Sequence, residues 1–242
     1  MISPTNDTSF TVGNVRPMEC LREGWESIRQ DYWLMFAIGL LGMLIAGFTM
    51  YILLGAMICG MYAAFLNKLD GRQATLDDLW SGFKHLGPSL LVTAAIVVPM
   101  IIVYMAIYLP VLIAIAANPR MTEEELMAVF FGTFAVDLVL IVLMVCFHTL
   151  ILFAFPLIID RGVGGLRSMT LSMKAVWQNL GGVTGLIAVQ MGLTILGMIP
   201  CGLGIYFLVP VMMAANAAAY RRIFPAQDAP MWAAPPPPNA YL

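Results

Sequence analysis

Charge is what this chain has least of: 12 Lys and Arg and 14 Asp and Glu among 242 residues, 11% of the sequence, where a soluble domain carries roughly a quarter. The net charge of −2 supplies no electrostatic footprint for nucleic acid or for a strongly acidic partner, and neither is expected. Cysteine is sparse too. Cys20, Cys59, Cys146 and Cys201 share no CxxC spacing and fall in or near different apolar runs, as small buried hydrophobes do rather than zinc ligands or a disulfide framework. Catalytic motifs are missing: there is no HExxH, GxSxG or GxxxxGK[ST], and Gly162, Gly164 and Gly165 follow no strand. An enzyme, a metal site and a cofactor are therefore not expected. The stretch from Met1 to Gly24 lacks the apolar core of a cleaved secretory signal, so the first membrane span is expected to act as its own insertion signal.

Apolar residues fill the space that charge leaves. They make up 61% of the chain, with a mean hydropathy of +0.88, and they lie in runs about long enough to cross a bilayer. An all-α, polytopic transmembrane bundle is the expected fold. The first run, Trp33 to Leu66, would be about 51 Å long as one helix against a hydrocarbon core of roughly 30 Å. It must fold back, and the best break lies near Gly47 to Met50, giving spans at 33–47 and 51–67. Four further spans are expected at 89–117, 126–159, 182–199 and 203–220.

Basic residues test that count independently, because Lys and Arg gather on the cytoplasmic side of short loops. With six spans, Arg16, Arg22, Arg29, Lys68, Arg72, Lys84, Arg161, Arg167, Lys174, Arg221 and Arg222 share one side and only Arg120 lies opposite. Were residues 33–66 a single span, the three N-terminal arginines would change sides and weaken the bias. Six spans with both termini in the cytoplasm is the consistent topology.

Three stretches at that basic end carry helical amphipathicity, at about 18–32, 75–86 and 165–180, and each precedes a pair of spans. Met18, Leu21, Trp25, Ile28 and Tyr32 form the first apolar stripe, and Leu76, Leu79, Trp80 and Phe83 the second, behind a Thr75 and Asp78 capping pattern. Leu166, Met169, Thr170, Met173, Val176, Trp177 and Leu180 form the third. All three read as helices lying in the headgroup layer. Either the chain holds three copies of one unit, at roughly 18–68, 75–160 and 164–222, or any helix joining two spans on one side tends to be amphipathic. Around this membrane domain, residues 1–17 are expected to be flexible and 223–242, with the run Pro235 to Pro238, a disordered tail.

The middle hairpin is overlong and is expected to tilt, kink at Pro99 and Pro110, or project outward. Thr122 and Glu125 form a capping box that starts its second arm, which also accounts for Glu123 and Glu124 near the positive end of the helix dipole. Asp70, Asp77 and Asp78 could bind a cation, although the last two suit the first turn of an interfacial helix better.

Polar residues inside the apolar runs are the candidate site, because leaving them unpaired in hydrocarbon is costly. They are Asp137, His148, Gln190 and Asn216. His148 lies about 15 Å and Gln190 about 14 Å from the inner boundary, so both are expected near the midplane, facing the interior and able to bond to each other directly or through water. Asp137 shares a helix face with His148 about 16 Å away, either on a polar path or at the outer interface. Asn216 lies in the small-residue segment Ala214 to Ala219, where close helix approach and an amide bridge are expected. Gly181, Gly185, Ala188 and Gly192 make a second smooth stripe, and Pro156 and Pro210 are expected kink points.

Several of these residues carry a resemblance. The run Asp77 to Phe83, then Phe155 to Asp160, an amphipathic helix with Ser172 and Asn179, and finally Pro210, Ala217 and Tyr220 resemble a bacterial six-span family of membrane proteins of unknown function. That family is similar to the membrane domain attached to some glycerophosphoryl diester phosphodiesterases. The resemblance spans roughly residues 18–222 and implies a bacterial cytoplasmic membrane but no activity. The hydrolytic barrel would need some 200 or more further residues, so phosphodiesterase chemistry is not carried over. The expected role is that of a non-enzymatic integral membrane protein that binds lipid or a membrane partner, another protein or a second copy of the chain. The alternative is a small-molecule or ion transporter with a midplane polar site.

Overall fold

The computed structural model describes residues 10–13, 15–118, 121–200 and 202–226; most of the tail expected to be disordered lies outside them, as do Arg120 and Cys201. The described chain is helical with no strand, an all-α bundle. Ten helices follow one another: α1 (Pro17–Ile28), α2 (Tyr32–Phe48), α3 (Leu54–Leu69), α4 (Leu76–Ser81), α5 (Leu86–Ala117), α6 (Glu123–Leu150), α7 (Ala154–Arg161), α8 (Gly165–Gln178), α9 (Leu180–Met198) and α10 (Leu203–Ile223). Five helical stretches are long and apolar enough to cross a membrane, and α3 is a shorter apolar helix.

Local chemistry sets many of the boundaries. The Thr75 N–H donates to the Asp78 carboxylate at 2.8 Å, and Thr122 and Glu125 complete a reciprocal box at 2.9 and 3.3 Å, so both N-termini start where the capping residues stand. The hairpin break falls at Thr49–Leu53, slightly beyond the expected Gly47–Met50. It is a Schellman closure, with the Tyr51 N–H on the Ala46 carbonyl at 2.8 Å and the Met50 N–H on that of Gly47 at 3.1 Å. Asp78 also accepts from Asn67 Nδ2, and Asp70 is held by arginines. Both carboxylates are therefore occupied by protein donors.

The span expected at 126–159 is two helices, broken at residues 151–153. Pro156 is the cause, because its ring would collide with the Leu152 carbonyl in a continuous helix. The Leu150 carbonyl, left out of the ladder, accepts from Ser172 Oγ at 2.9 Å, and Ser172 Oγ in turn accepts from the Phe153 N–H at 3.1 Å. One hydroxyl of α8 thus satisfies both sides of the break. Pro99, Pro110 and Pro210, in contrast, lie within continuous helices.

The three amphipathic helices form a collar, but each has three faces rather than two. On α1 the buried positions are Cys20, Gly24 and Ile28, while Met18 and Trp25 of the expected stripe are exposed. On α8 they are Gly165, Ser168, Ser172, Ala175 and Val176, while Leu166 and Trp177 are exposed. On α4 Leu79 is buried and Leu76 and Trp80 are not. Small residues make the inner faces because the backbones nearly touch: a Cβ on Gly24 would lie 2.6 Å from the Ala214 carbonyl carbon and the Ala215 nitrogen of α10. Gly60 with Leu79, Gly82 with Ala56, and Gly165 with Pro88 leave equally little room.

Each collar helix packs on the helix before it in the chain, α4 on α3 and α8 on α7, except α1, which packs on the last helix, α10. The ends of α3, α7 and α10 converge. Arg221 on α10 donates to both oxygens of Asp70 after α3, at 2.9 and 2.8 Å, and to both oxygens of Asp160 on α7, at 2.8 and 2.7 Å. Tyr220 donates to Asp160 at 2.8 Å. Beneath this knot lie the fully buried Phe65, Phe153, Leu157, Tyr220 and Phe224. Arg222 binds Glu19 and Glu23 of α1, and Lys68 pairs with Asp31.

The described residues at the chain ends are packed against the bundle: the Thr11 N–H donates to the Ile223 carbonyl at 2.9 Å, and Asn179 Oδ1 accepts from the Gly13 N–H at 2.7 Å. This segment occupies the glycines of α9, with Val15 against Gly182 and Pro17 against Gly185, whereas Gly181 and Gly192 of the expected stripe meet nothing. At the other end Ile223 closes α10 and Phe224 is buried.

Candidate functional site

Three helices bring polar groups to one place, Gln190 and Asn216 inside the apolar bundle and His148 at its exposed edge rather than facing the interior as expected. Gln190 lies near the middle of α9 and Asn216 within the Ala-rich segment of α10; both are buried. The alanines around Asn216 let neighbouring backbones approach closely, and the amides meet: Gln190 Nε2 donates to Asn216 Oδ1 at 2.8 Å. His148 stands in the last turn of α6, two residues before the helix breaks.

Two chambers open around these side chains. One, of about 400 Å³, lies among α5, α6, α9 and α10 and is walled by Ile96, Met144, Phe147, Ile187, Met191 and Met212. The other, of about 280 Å³, is walled by Met43, Ile58, Met61, Phe155, Val209 and Met213. His148, Leu152, Gln190, Met212 and Asn216 line both. Methionine is the commonest residue of the walls, and its unbranched thioether side chains adapt to ligands of irregular shape.

His148 and Gln190 are thus brought together at the same walls, but no hydrogen bond joins them: the Gln190 partner is Asn216. Of the two forms expected, a bond made directly or through water, the direct one is not made: His148 and Gln190 both face the larger chamber. Asp137 is not part of the site. Its Oδ2 accepts from Tyr108 of α5 at 2.5 Å, its Oδ1 has no partner among the described residues, and it lines neither chamber.

The sequence reading missed Tyr62, which is buried on α3, lines the smaller chamber and has Asn216 as the side-chain neighbour of its hydroxyl. Its signal was a lone phenol in an apolar helix, hidden by counting tyrosine among hydrophobic residues. Thr149 and Thr194 also line the larger chamber, but each hydroxyl bonds back to its own helix, to Val145 and Gln190, and so adds little free polarity. Hydrogen bonding to a guest therefore falls to the imidazole and to what the amide pair leaves unused. Among the described residues no group of three His, Cys, Asp or Glu is placed to hold a metal ion.

Comparison with protein-family models, with curated proteins and with solved structures returns no match.

Proposed function

We propose that the chain is a six-span protein of the bacterial cytoplasmic membrane, with both termini in the cytoplasm, that binds a lipid within its bundle without carrying out chemistry on it. The observation that carries this reading is the composition of the chambers. Their walls are methionine, aliphatic and aromatic, and the polar atoms are confined to His148, the amide pair, Tyr62 and two threonines. An acyl chain fits walls of that kind, and the imidazole suits a single ester or hydroxyl group on it. The gathering of basic residues at the collar supports the proposed orientation, and the sequence resemblance supports the membrane assigned.

The test is native mass spectrometry of the protein released from its own membranes. A lipid retained by the natural chain and lost from His148→Phe, which removes the imidazole that both chambers share, supports the reading. Equal retention in both overturns it. That the two chambers meet at one set of residues favours a second reading, in which the guest passes from one to the other. Flux of a labelled lipid or polar solute in proteoliposomes, abolished by the same substitution, would establish that role.

A further inference from the structure

We propose that the hollow between the C-terminal end of α6 and the outer face of α8 is a headgroup site for an anionic phospholipid, with Lys174 holding the phosphate. It rests on the membrane setting proposed above but not on the chambers. The hollow has a volume of about 320 Å³ and is lined by Leu150, Met173, Lys174, Trp177 and Gln178. Lys174 is exposed and makes no hydrogen bond or ion pair among the described residues.

Charge singles out this helix of the collar. Between its ends α1 carries Glu19, Glu23 and Glu26 against one arginine, and α4 carries Asp77 and Asp78 with no base. Only α8 has two bases, Arg167 and Lys174, and no acid. Nor do the last carbonyls of α6 compete for the ammonium. Those of Phe147, His148 and Thr149 accept from the turn that follows, and that of Leu150 accepts from Ser172.

The remaining walls select a lipid rather than a free ion. Trp177 is 70% exposed, the placement an indole takes at the level of glycerol and headgroup, with its N–H free to donate. The Gln178 amide adds a second neutral donor, and Leu150 and Met173 offer apolar surface to the start of an acyl chain. A free phosphate would use the lysine and leave those walls in contact with water.

The test uses the full chain in nanodiscs of mixed phosphatidylglycerol and phosphatidylcholine, with retained lipids counted by native mass spectrometry. Phosphatidylglycerol should be retained in preference, and Lys174→Gln should lower that preference about fivefold, the worth of one cation near an anionic leaflet. Lys174→Arg should restore it, and His148→Phe, whatever it does to the number of lipids held in the chambers, should leave the preference for phosphatidylglycerol in place, which separates this site from the chambers. Lys84→Gln on the collar's second segment should also leave it unchanged. Equal retention of both lipids, no effect of Lys174→Gln, or displacement of the lipid by inorganic phosphate would overturn the proposal.

Discussion

Gln190 of α9 and Asn216 of α10 are joined by a 2.8 Å amide bond, and that bond spans the sequence separation the two helices must close. Replacing either amide removes the other's shortest side-chain hydrogen bond in a largely apolar wall. Gln190→Leu and Asn216→Leu should each destabilise the protein by about 1 kcal/mol, and the double variant by less than the sum of the two. Thermal unfolding in one detergent, run as a double-mutant cycle, measures this, and strict additivity would show that the bond contributes nothing.

The Asp70, Arg221 and Asp160 knot should respond unequally to removal of its members. Arg221→Met leaves two nearly buried carboxylates facing each other and should cost about 3–5 kcal/mol. Asp160→Asn leaves one carboxylate on the guanidinium and should cost less. Unfolding followed by tryptophan fluorescence reads both, and an equal loss would mean that the charges are already screened.

Gly24 is the closest approach between α1 and α10. Gly24→Leu would put side-chain atoms into the backbone of Ala214 and Ala215 and should cost about 1–3 kcal/mol through overpacking. Gly47→Ala on α2, where a Cβ meets nothing within 4 Å, should be neutral or slightly stabilising. Melting temperatures of the two variants in parallel decide it.

Met50 occupies the position after α2 with φ of 48°, where the left-handed backbone favours glycine. The matching position after α3 is Gly71, at φ of 75°. Met50→Gly should therefore stabilise the protein by about 1 kcal/mol, seen as a higher melting temperature; a lower one would show that the methionine side chain is itself needed.

The proposed topology predicts labelling. Single cysteines at Arg22 and Lys84 should react with an impermeant maleimide only after the inner face is exposed, and one at Glu124 should react from outside. Labelling of Arg22 and Lys84 from opposite sides would remove a span and, with it, the assignment of His148 to the membrane interior.

The sequence by itself determined what depends on near neighbours. The apolar runs, the fold-back of the first one, the capping boxes at Thr75 and Thr122 and the amphipathic collar all follow from the spacing of residues within a few turns. So does the list of polar side chains standing where polarity is costly. Tertiary structure decided the pairings: Gln190 with Asn216 rather than His148, Asp137 with Tyr108, Arg221 between Asp70 and Asp160, and α1 on α10 rather than flat against lipid. The physical reason is that an apolar face turned to lipid and one turned to a neighbouring helix have nearly the same composition. Which face turns inward is set by how closely two remote backbones can approach, and small residues such as Gly24, Gly60, Gly82 and Gly165 settle that only once the helices are assembled.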